Sequence, residues 1–525
     1  MIPPDTQRVL DFLGDARSYP HRPASVTMVQ THASWVFLAP PLVFKMKKPV
    51  NFGFLDFSTL EKRRVDCENE VTLNRRLAPG VYLGVEPVCE GPDGPCLGGM
   101  GPVLEWVVKM RQMDARQFLS QRLRRGEVDE AMIGRVVERL EAFYRTQPPL
   151  PLAEVAQACR RLEECVRGNF SAALEFTGHS LSGPALAAIE AFSTTFEDHW
   201  RSLLESRARN GWIRDGHGDL HSEHIHISTD TVDIYDCTEF NDAFRHIDVA
   251  CDVAFLAMDL DFHERPELSR LFVTQFAAHM RDSELELLMD FYKCYRACVR
   301  GKVESLHSMG ETVGAVERTA SLDLARRYFR LALRYALGGS SPRVWVCMGR
   351  VASGKSALAD ALGRETGWRV VSSDRVRKSL AGVPLTVRGG QEERARLYSV
   401  EMTQRVYDEL WRVAQSEVEQ GRSVILDATF SLRAQRDAMR QKGGLITWIV
   451  AEAGDSMTLR RLRERENGGG VVSDARVEDQ AALNSRFEPP DELPAGEWLR
   501  ITTESETETT LERLMVEIAT RNART

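Results

Sequence analysis

Two short stretches concentrate the side chains that could do chemistry. "GHGDLHSEHIHI", Gly216–Ile227, packs four histidines, an aspartate and a glutamate into twelve positions. "GRVASGKS", Gly349–Ser356, opens on a glycine, closes its loop on Gly354 and ends on Lys355 and Ser356. The first offers either metal ligands or a catalytic base. The second offers a cradle for an anion.

The second stretch fits G-x-x-x-x-G-K-[ST] at every fixed position, with the apolar "VWVCM" leading in and the helix-forming "SALADALGRE" leading out. Such a loop lets the backbone of Gly349, Arg350, Val351, Ala352, Ser353 and Gly354 wrap a phosphate, with N–H groups and a helix N-terminus facing the anion. Lys355 is expected to reach the β- and γ-phosphates of ATP and act catalytically on the charge developing there. The Ser356 hydroxyl is expected to ligate Mg2+. "SVILDATF" ends an apolar strand on Asp427, a direct or outer ligand for the same ion. Ala428 follows where a hydrolysing motor places a glutamate for water, so transfer to a substrate is expected instead. "VVSSDRVRK" puts Asp374 at a strand tip, where a carboxylate can take the proton of a substrate hydroxyl. Arg375, Arg377 and Lys378 follow it and can hold an anionic substrate. "LRRLRERENGGGVVSDAR" sets Arg460, Arg461, Arg463 and Arg465 before a glycine-rich stretch, the composition of a mobile lid. Arg460 and Arg463 are its candidates to touch ATP; the competing reading of the run is a solvated helix face.

Together the loop, "SSDRVRK", "VILDATF" and the arginine run resemble the small P-loop kinases, which include gluconate kinase and the 5′-hydroxyl polynucleotide kinases. The resemblance covers about residues 343–525. It implies phosphoryl transfer and leaves the acceptor open between a small-molecule hydroxyl and a nucleic-acid 5′ end.

In the first stretch a zinc site would need converging ligands. Histidines at 217, 221, 224 and 226 have a mixed spacing that neither one helix nor one strand projects to a point, and HExxH is absent. The competing template is a kinase catalytic loop, with an aspartate base and a metal ligand five residues later. His217-Gly218-Asp219 supplies the base, position 224 holds His224, and "TVDIYDCTEF" runs as a strand to Asp236, the main Mg2+ ligand in that template. Asp248 is expected to buttress the loop. Upstream, "PLVFKMKK" offers Lys45 for the α- and β-phosphates, with Lys47 on the same face, and "CENEVTLNRRL" offers Glu70 to pair with it. "LEWVVKM" is expected to be the hinge, with Glu105 and Val107 gripping adenine through the backbone. "THASW", residues 31–35, stands at the phosphate-loop position without glycines.

This set resembles the aminoglycoside phosphotransferases and their small-molecule kinase relatives, over about residues 25–335. The departure is His224, where that family carries asparagine. Imidazole is a poor ligand for Mg2+, which prefers oxygen. Either one metal on Asp236 suffices, or Glu223 substitutes, or this half is weakly active.

The elements that must position these residues follow from pattern. Up to about residue 110 the chain reads as strands with one helix, and from 128 to 336 as helices interrupted at 215–240. "GGSSP", 338–342, is a linker by composition. Short apolar strands then alternate with long charged helices, the mark of a parallel sheet. The expected class is α/β. It comprises a kinase-like N-lobe (1–110), a helical C-lobe (111–337), the linker, and a P-loop kinase domain (343–525) with a parallel sheet covered by helices. A net charge of −8 gives no global basic field for nucleic acid. The N-terminus lacks a secretory pattern, and "VACDVAFLAMDLDF" carries Asp252 and Asp259 and is too short for a bilayer. Ten cysteines without a CxxC pair suit buried thiols in a reducing cytoplasm. The expectation is a cytoplasmic tandem phosphotransferase using ATP and Mg2+ on hydroxyls of sugar- or aminoglycoside-like molecules. Its alternatives are a nucleic-acid 5′-kinase in the C-terminal half and a nucleotide-binding regulatory N-terminal half.

Overall fold

Six strands of the N-terminal region, β1 (Thr27–Gln30), β2 (Ser34–Ala39), β3 (Leu42–Lys47), β4 (Tyr82–Gly91), β5 (Gly94–Leu97) and β6 (Val103–Arg111), form an antiparallel sheet in the order β1-β2-β3-β6-β4-β5. Successive side chains on a strand point to opposite faces. Trp35, Phe37 and Ala39 therefore pack with Val9, Leu10 and Leu13 of the helix Pro4–Gly14, joined by Phe44 and Met46. Val36, Leu38 and Val43 pack the other way, with Cys67 and Val71 of the helix Leu60–Asn74. The same alternation sends Lys45 and Lys47 to the face of Val43, toward that helix.

The computed structural model describes residues 4–525 except His32, Phe52, Phe54, Glu311, Thr312, Thr386, Arg388, Gly389, residues 468–471 and Asp474, and except the side chain of Gln391. Part of "THASW" and the glycine-rich stretch after the arginine run lie outside the described residues. Among those described, no helix is long and apolar enough to cross a membrane.

By contacts the chain divides into two compact units, Met1–Cys165 with Ser202–Tyr292, and Val166–Arg201 with Lys293–Thr525. In the first, β7 (Ile213–Asp215), β8 (Ile225–Ile227), β9 (Val232–Ile234) and β10 (His246–Asp248) make two short antiparallel ladders, β7 with β10 and β8 with β9. The helix Val249–Phe262 follows, buried on every side apart from Asp261, as an all-round apolar helix must be.

The second unit holds β11 (Val344–Met348), β12 (Arg369–Ser372), β13 (Val424–Asp427), β14 (Ile446–Glu452) and β15 (Trp498–Thr502) in a parallel sheet of order β12-β13-β11-β14-β15. β11 is buried throughout, as a central parallel strand covered on both faces requires. Asn522, ending the helix Thr507–Asn522, donates to Tyr335 O at 3.0 Å on the helix Ala315–Gly338. Trp200 Nε1 donates to Ala523 O at 3.1 Å. The segment 338–342 lies inside this unit, with Lys293 Nζ 3.2 Å from Ser340 Oγ. The class is mixed α/β: an antiparallel sheet, a helical region, then a five-stranded parallel sheet with helices.

Candidate functional site

In the first unit Lys45 Nζ lies 2.9 Å from Glu70 Oε1 and 2.9 Å from Asp236 Oδ1. Lys47, only 1% exposed, sits 2.5 Å from Glu70 Oε2, 2.7 Å from Asp66 Oδ2 and 2.6 Å from Glu239 Oε1. Glu70 thus bridges both ammonium groups, and the two cations, Lys47 buried and Lys45 part-buried, are set among four carboxylates. Burial alone would lower both lysines, but the carboxylates outweigh it and hold them protonated well above the ordinary range. Burial pushes the Glu239 carboxyl up to about 7, against the pull of Lys47. Asp66 and Glu239 were not foreseen from the sequence. Asp66 stands one helical turn before Glu70, a spacing that could have found it; nothing local marks Glu239.

The loop from Gly216 is built on Asp252, buried within the helix Val249–Phe262. Its Oδ2 accepts the His217 N–H at 2.6 Å and the Tyr144 hydroxyl at 2.6 Å, and its Oδ1 accepts the Gly218 N–H at 3.0 Å. The buttress is therefore Asp252 and not Asp248. Asp248 caps the helix through Ala250 N–H at 2.8 Å and pairs with buried Arg207 at 2.8 Å. Asp248 stands at the cap itself; Asp252, one turn inside, faces back onto the loop. Gly218 has φ 82, and a Cβ there would lie 2.7 Å from Phe244 O, so the turn requires glycine.

Neutral His217 ties the loop to the Asp236 segment. Its Nε2 donates to Tyr235 O at 2.9 Å, and its Nδ1 accepts the Asp219 N–H at 3.2 Å. Asp219 and Asp236 are 39% and 38% exposed, open to an incoming molecule, while His224 is 13% exposed between them. His224 Nδ1 lies 2.9 Å from Asp219 O, and its Nε2 lies 3.6 Å from Asp236 Oδ2. Burial, helped by His221, pushes His224 down to about 4 and leaves it neutral. Asp236 sits at φ 60; burial opposes its charge, but Lys45 outweighs burial and holds it well below the usual carboxylate range. Lys45, Glu70, Asp236, His224 and Asp219 form one continuous chain of contacts.

Glu105 and Val107 do not join it. Val107 is buried in β6 and paired with Met46 on one side and Glu86 on the other. Glu105 pairs with Val88, and its carboxylate holds Arg63 at 2.8 Å. "LEWVVKM" is the middle of a strand, where Val107 is paired on both sides and Glu105 on the Val88 side, the arrangement of a sheet and not of a hinge. Glu223 is more than half exposed, with one carboxylate oxygen 3.9 Å from Arg124 and the other 3.9 Å from His221 Nδ1.

In the second unit β11 runs into the loop 349–354 and the helix Lys355–Thr366. Gly349, Ala352 and Gly354 all have positive φ (147, 58 and 89), and a Cβ on Gly349 would stand 2.3 Å from Ala451 O. Sheet register sets Asp427 beside Cys347 on β11 and Ser372 on β12. Burial pushes Asp427 up, while Lys355 and the Ser356 hydroxyl pull it down. Buried Ser353 Oγ and Asp427 Oδ1 have no hydrogen-bond partner among the described residues. A bare carboxylate oxygen beside Ser356 and Lys355 fits a nucleotide with Mg2+. A cleft of about 470 Å³ opens next to Ser353, lined by Arg350, Phe487, Pro490, Arg500 and Glu504.

Asp374 is half-buried in the first turn of the helix Ser373–Ala381. The expectation that Arg377 and Lys378 hold substrate is corrected. Arg377 donates to Leu397 O at 2.8 Å and stacks on Tyr398, and Lys378 donates to Leu385 O and Val387 O at 2.9 Å each. Both lie on the helix's inward face; Arg375 alone of the three is exposed. Arg460 and Arg463 are exposed on the helix Asp455–Asn467, Arg460 lying 3.7 Å from Glu464. The arginine that reaches the loop is Arg461, donating to Ala352 O at 3.2 Å and Thr503 Oγ1 at 3.1 Å.

A family model described as an AAA domain matches residues 344–490. The N-terminal region resembles a choline kinase from Cryptosporidium parvum Iowa II, at 9% identity over 62% of this chain and 95% of that one, TM-score 0.38. The C-terminal P-loop domain is like a gluconokinase from Sinorhizobium meliloti 1021, at 16% identity over 35% of this chain and 94% of that one, TM-score 0.24. The uncharacterized protein Rv2004c of Mycobacterium tuberculosis (strain ATCC 25618 / H37Rv) is 32% identical over 471 residues, spanning 87% of this chain and 89% of that protein. With that identity carried across nearly the whole of both, the chain belongs to the family of this mycobacterial protein.

Proposed function

We propose that the chain is a tandem phosphotransferase, each half moving the γ-phosphoryl group of ATP to a hydroxyl of a small molecule. The observation that carries it is Lys45 held between Glu70 and Asp236 at 2.9 Å each, on the unit that also presents Asp219 on a loop fixed by Asp252. Lys45 neutralises nucleotide phosphate, and Glu70 keeps its ammonium in place. Asp219 accepts the proton of the acceptor hydroxyl. Asp236 would hold the divalent metal ion, which when bound would neutralise charge on the phosphates. In the second half the loop 349–354 and Lys355 hold phosphates, Ser356 and Asp427 hold Mg2+, and Asp374 accepts the hydroxyl proton. Arg461 buttresses the loop from behind, and the cleft beside Ser353 has room for a nucleoside. With Arg377 and Lys378 bound internally, a nucleic-acid acceptor for this half loses its main support, and a small molecule is the better acceptor.

The test is label transfer from γ-labelled ATP to a pool of sugars, aminoglycosides, amino alcohols and oligonucleotides. Labelled small molecules should appear, one set vanishing with Asp219→Asn and another with Lys355→Ala. Label found only in free phosphate, whatever the pool, would contradict the proposal.

A further inference from the structure

Building on the phosphotransferase reading of the first unit, we propose that its cation site is a mixed nitrogen–oxygen site for a divalent ion of the first transition row, with His224 Nε2 and Asp236 Oδ2 as ligands. The proton of His224 is located by chemistry. Nδ1 lies 2.9 Å from the Asp219 carbonyl oxygen. A carbonyl only accepts, so Nδ1 carries the hydrogen and, in the neutral ring that a metal requires, Nε2 is the lone pair left to bind it. That lone pair faces Asp236 Oδ2 at 3.6 Å. In that form Nε2 and Oδ2 are both acceptors, and a cation placed between them would be bound by both.

The spacing suits one. Ligands at about 2.1 Å from a tetrahedral ion stand about 3.4 Å apart, close to the separation here. An imidazole that binds metal through one nitrogen characteristically donates its other N–H to a carbonyl or carboxylate, as His224 does to Asp219. Asp236 has the matching division of labour, since Oδ1 takes Lys45 at 2.9 Å and Oδ2 is turned to His224. On the Nδ1 edge of the same ring, Asp219 Oδ2 lies 3.6 Å away. Asp219 Oδ2 is 3.5 Å from His221 Nε2, the rings of His221 and His224 lie 4.0 Å apart, and ligand atoms of Asp219, His221 and His224 fall within 4.8 Å of one another. Mg2+ favours oxygen, whereas affinity for an imidazole-bearing site rises from Mn2+, the weakest of the row, through Co2+ to Cu2+, with Zn2+ also well suited. The residue at 224 therefore selects the ion.

The experiment uses the full chain with Mn2+ and no nucleotide, read by pulsed electron paramagnetic resonance for coupling to a directly bound 14N nucleus. The second unit's ligands, Ser356 and Asp427, are oxygens, so nitrogen reports on the first unit alone. Wild type should show the coupling. His224→Asn and His224→Gln should lose it, with Mn2+ affinity at that site falling about tenfold or more and Mg2+ affinity undiminished. Wild-type Mn2+ bound without nitrogen coupling would overturn the inference, as would coupling that persists in both variants. The two readings fail separately. Nitrogen coupling in a first unit that binds no ATP would sustain the ion site and sink the kinase reading. ATP-dependent transfer by Asp219 with no nitrogen on bound Mn2+ would do the reverse.

Discussion

Lys45 and Lys47 are two residues apart on one strand and share Glu70, yet their exposure assigns them different work. Lys47 is 1% exposed and bound by Asp66, Glu70 and Glu239; Lys45 is 15% exposed and reaches Asp236 at the opening. Removing one partner of a buried charge network leaves the others uncompensated, at about 3–5 kcal/mol. Lys47→Met should therefore destabilise the protein by about that much in urea unfolding, and Lys45→Met by clearly less while losing ATP affinity at this unit. The reverse order would mean that Lys47 is the phosphate ligand. At Asp374 the proposed role is proton acceptance, which ATP binding does not use. Asp374→Asn should lower turnover by about a hundredfold or more and leave the nucleotide Kd unchanged; retained turnover with weakened acceptor binding would move the base elsewhere.

At the scale of elements, the loop from Gly216 to His224 is positioned by a buried carboxylate and a left-handed glycine. Gly218→Ala would set a Cβ 2.7 Å from Phe244 O at φ 82. It should abolish transfer by the first unit while lowering stability by only about 1–3 kcal/mol, since strain falls on the loop and not on the core; circular dichroism and transfer assays separate the two. On the helix Asp455–Asn467, Arg461→Ala should weaken nucleotide binding by the second unit severalfold and Arg460→Ala should not, by titration calorimetry, because Arg461 donates to Ala352 O while Arg460 is exposed beside Glu464. Much of this was legible in advance. Strand alternation put Lys45 and Lys47 on one face, and the spacing from Asp219 to 224 to Asp236 located the loop. Less was legible where tertiary contacts decide. Glu105 and Val107 belong to a strand that runs on to Arg111, and a short apolar run such as "WVV" reads alike for a hinge and for a strand in sequence. Asp248 and Asp252 differ only in which one faces the loop, which the helix start at Val249 determines. Arg377 and Lys378 look like substrate cations until the carbonyls they hold are seen.

At the scale of the molecule, two compact units each carry a separate set of phosphate- and metal-binding candidates, one on an antiparallel sheet and one on a parallel sheet. The central claim is that both bind nucleotide. It is tested most directly by titrating the full chain with a non-hydrolysable ATP analogue in the presence of Mg2+ and Mn2+. The expected stoichiometry is two, reduced to one by Lys355→Ala or by Asp236→Ala and to none by the pair. A wild-type stoichiometry of one, or loss of both sites in either folded single variant, would contradict it.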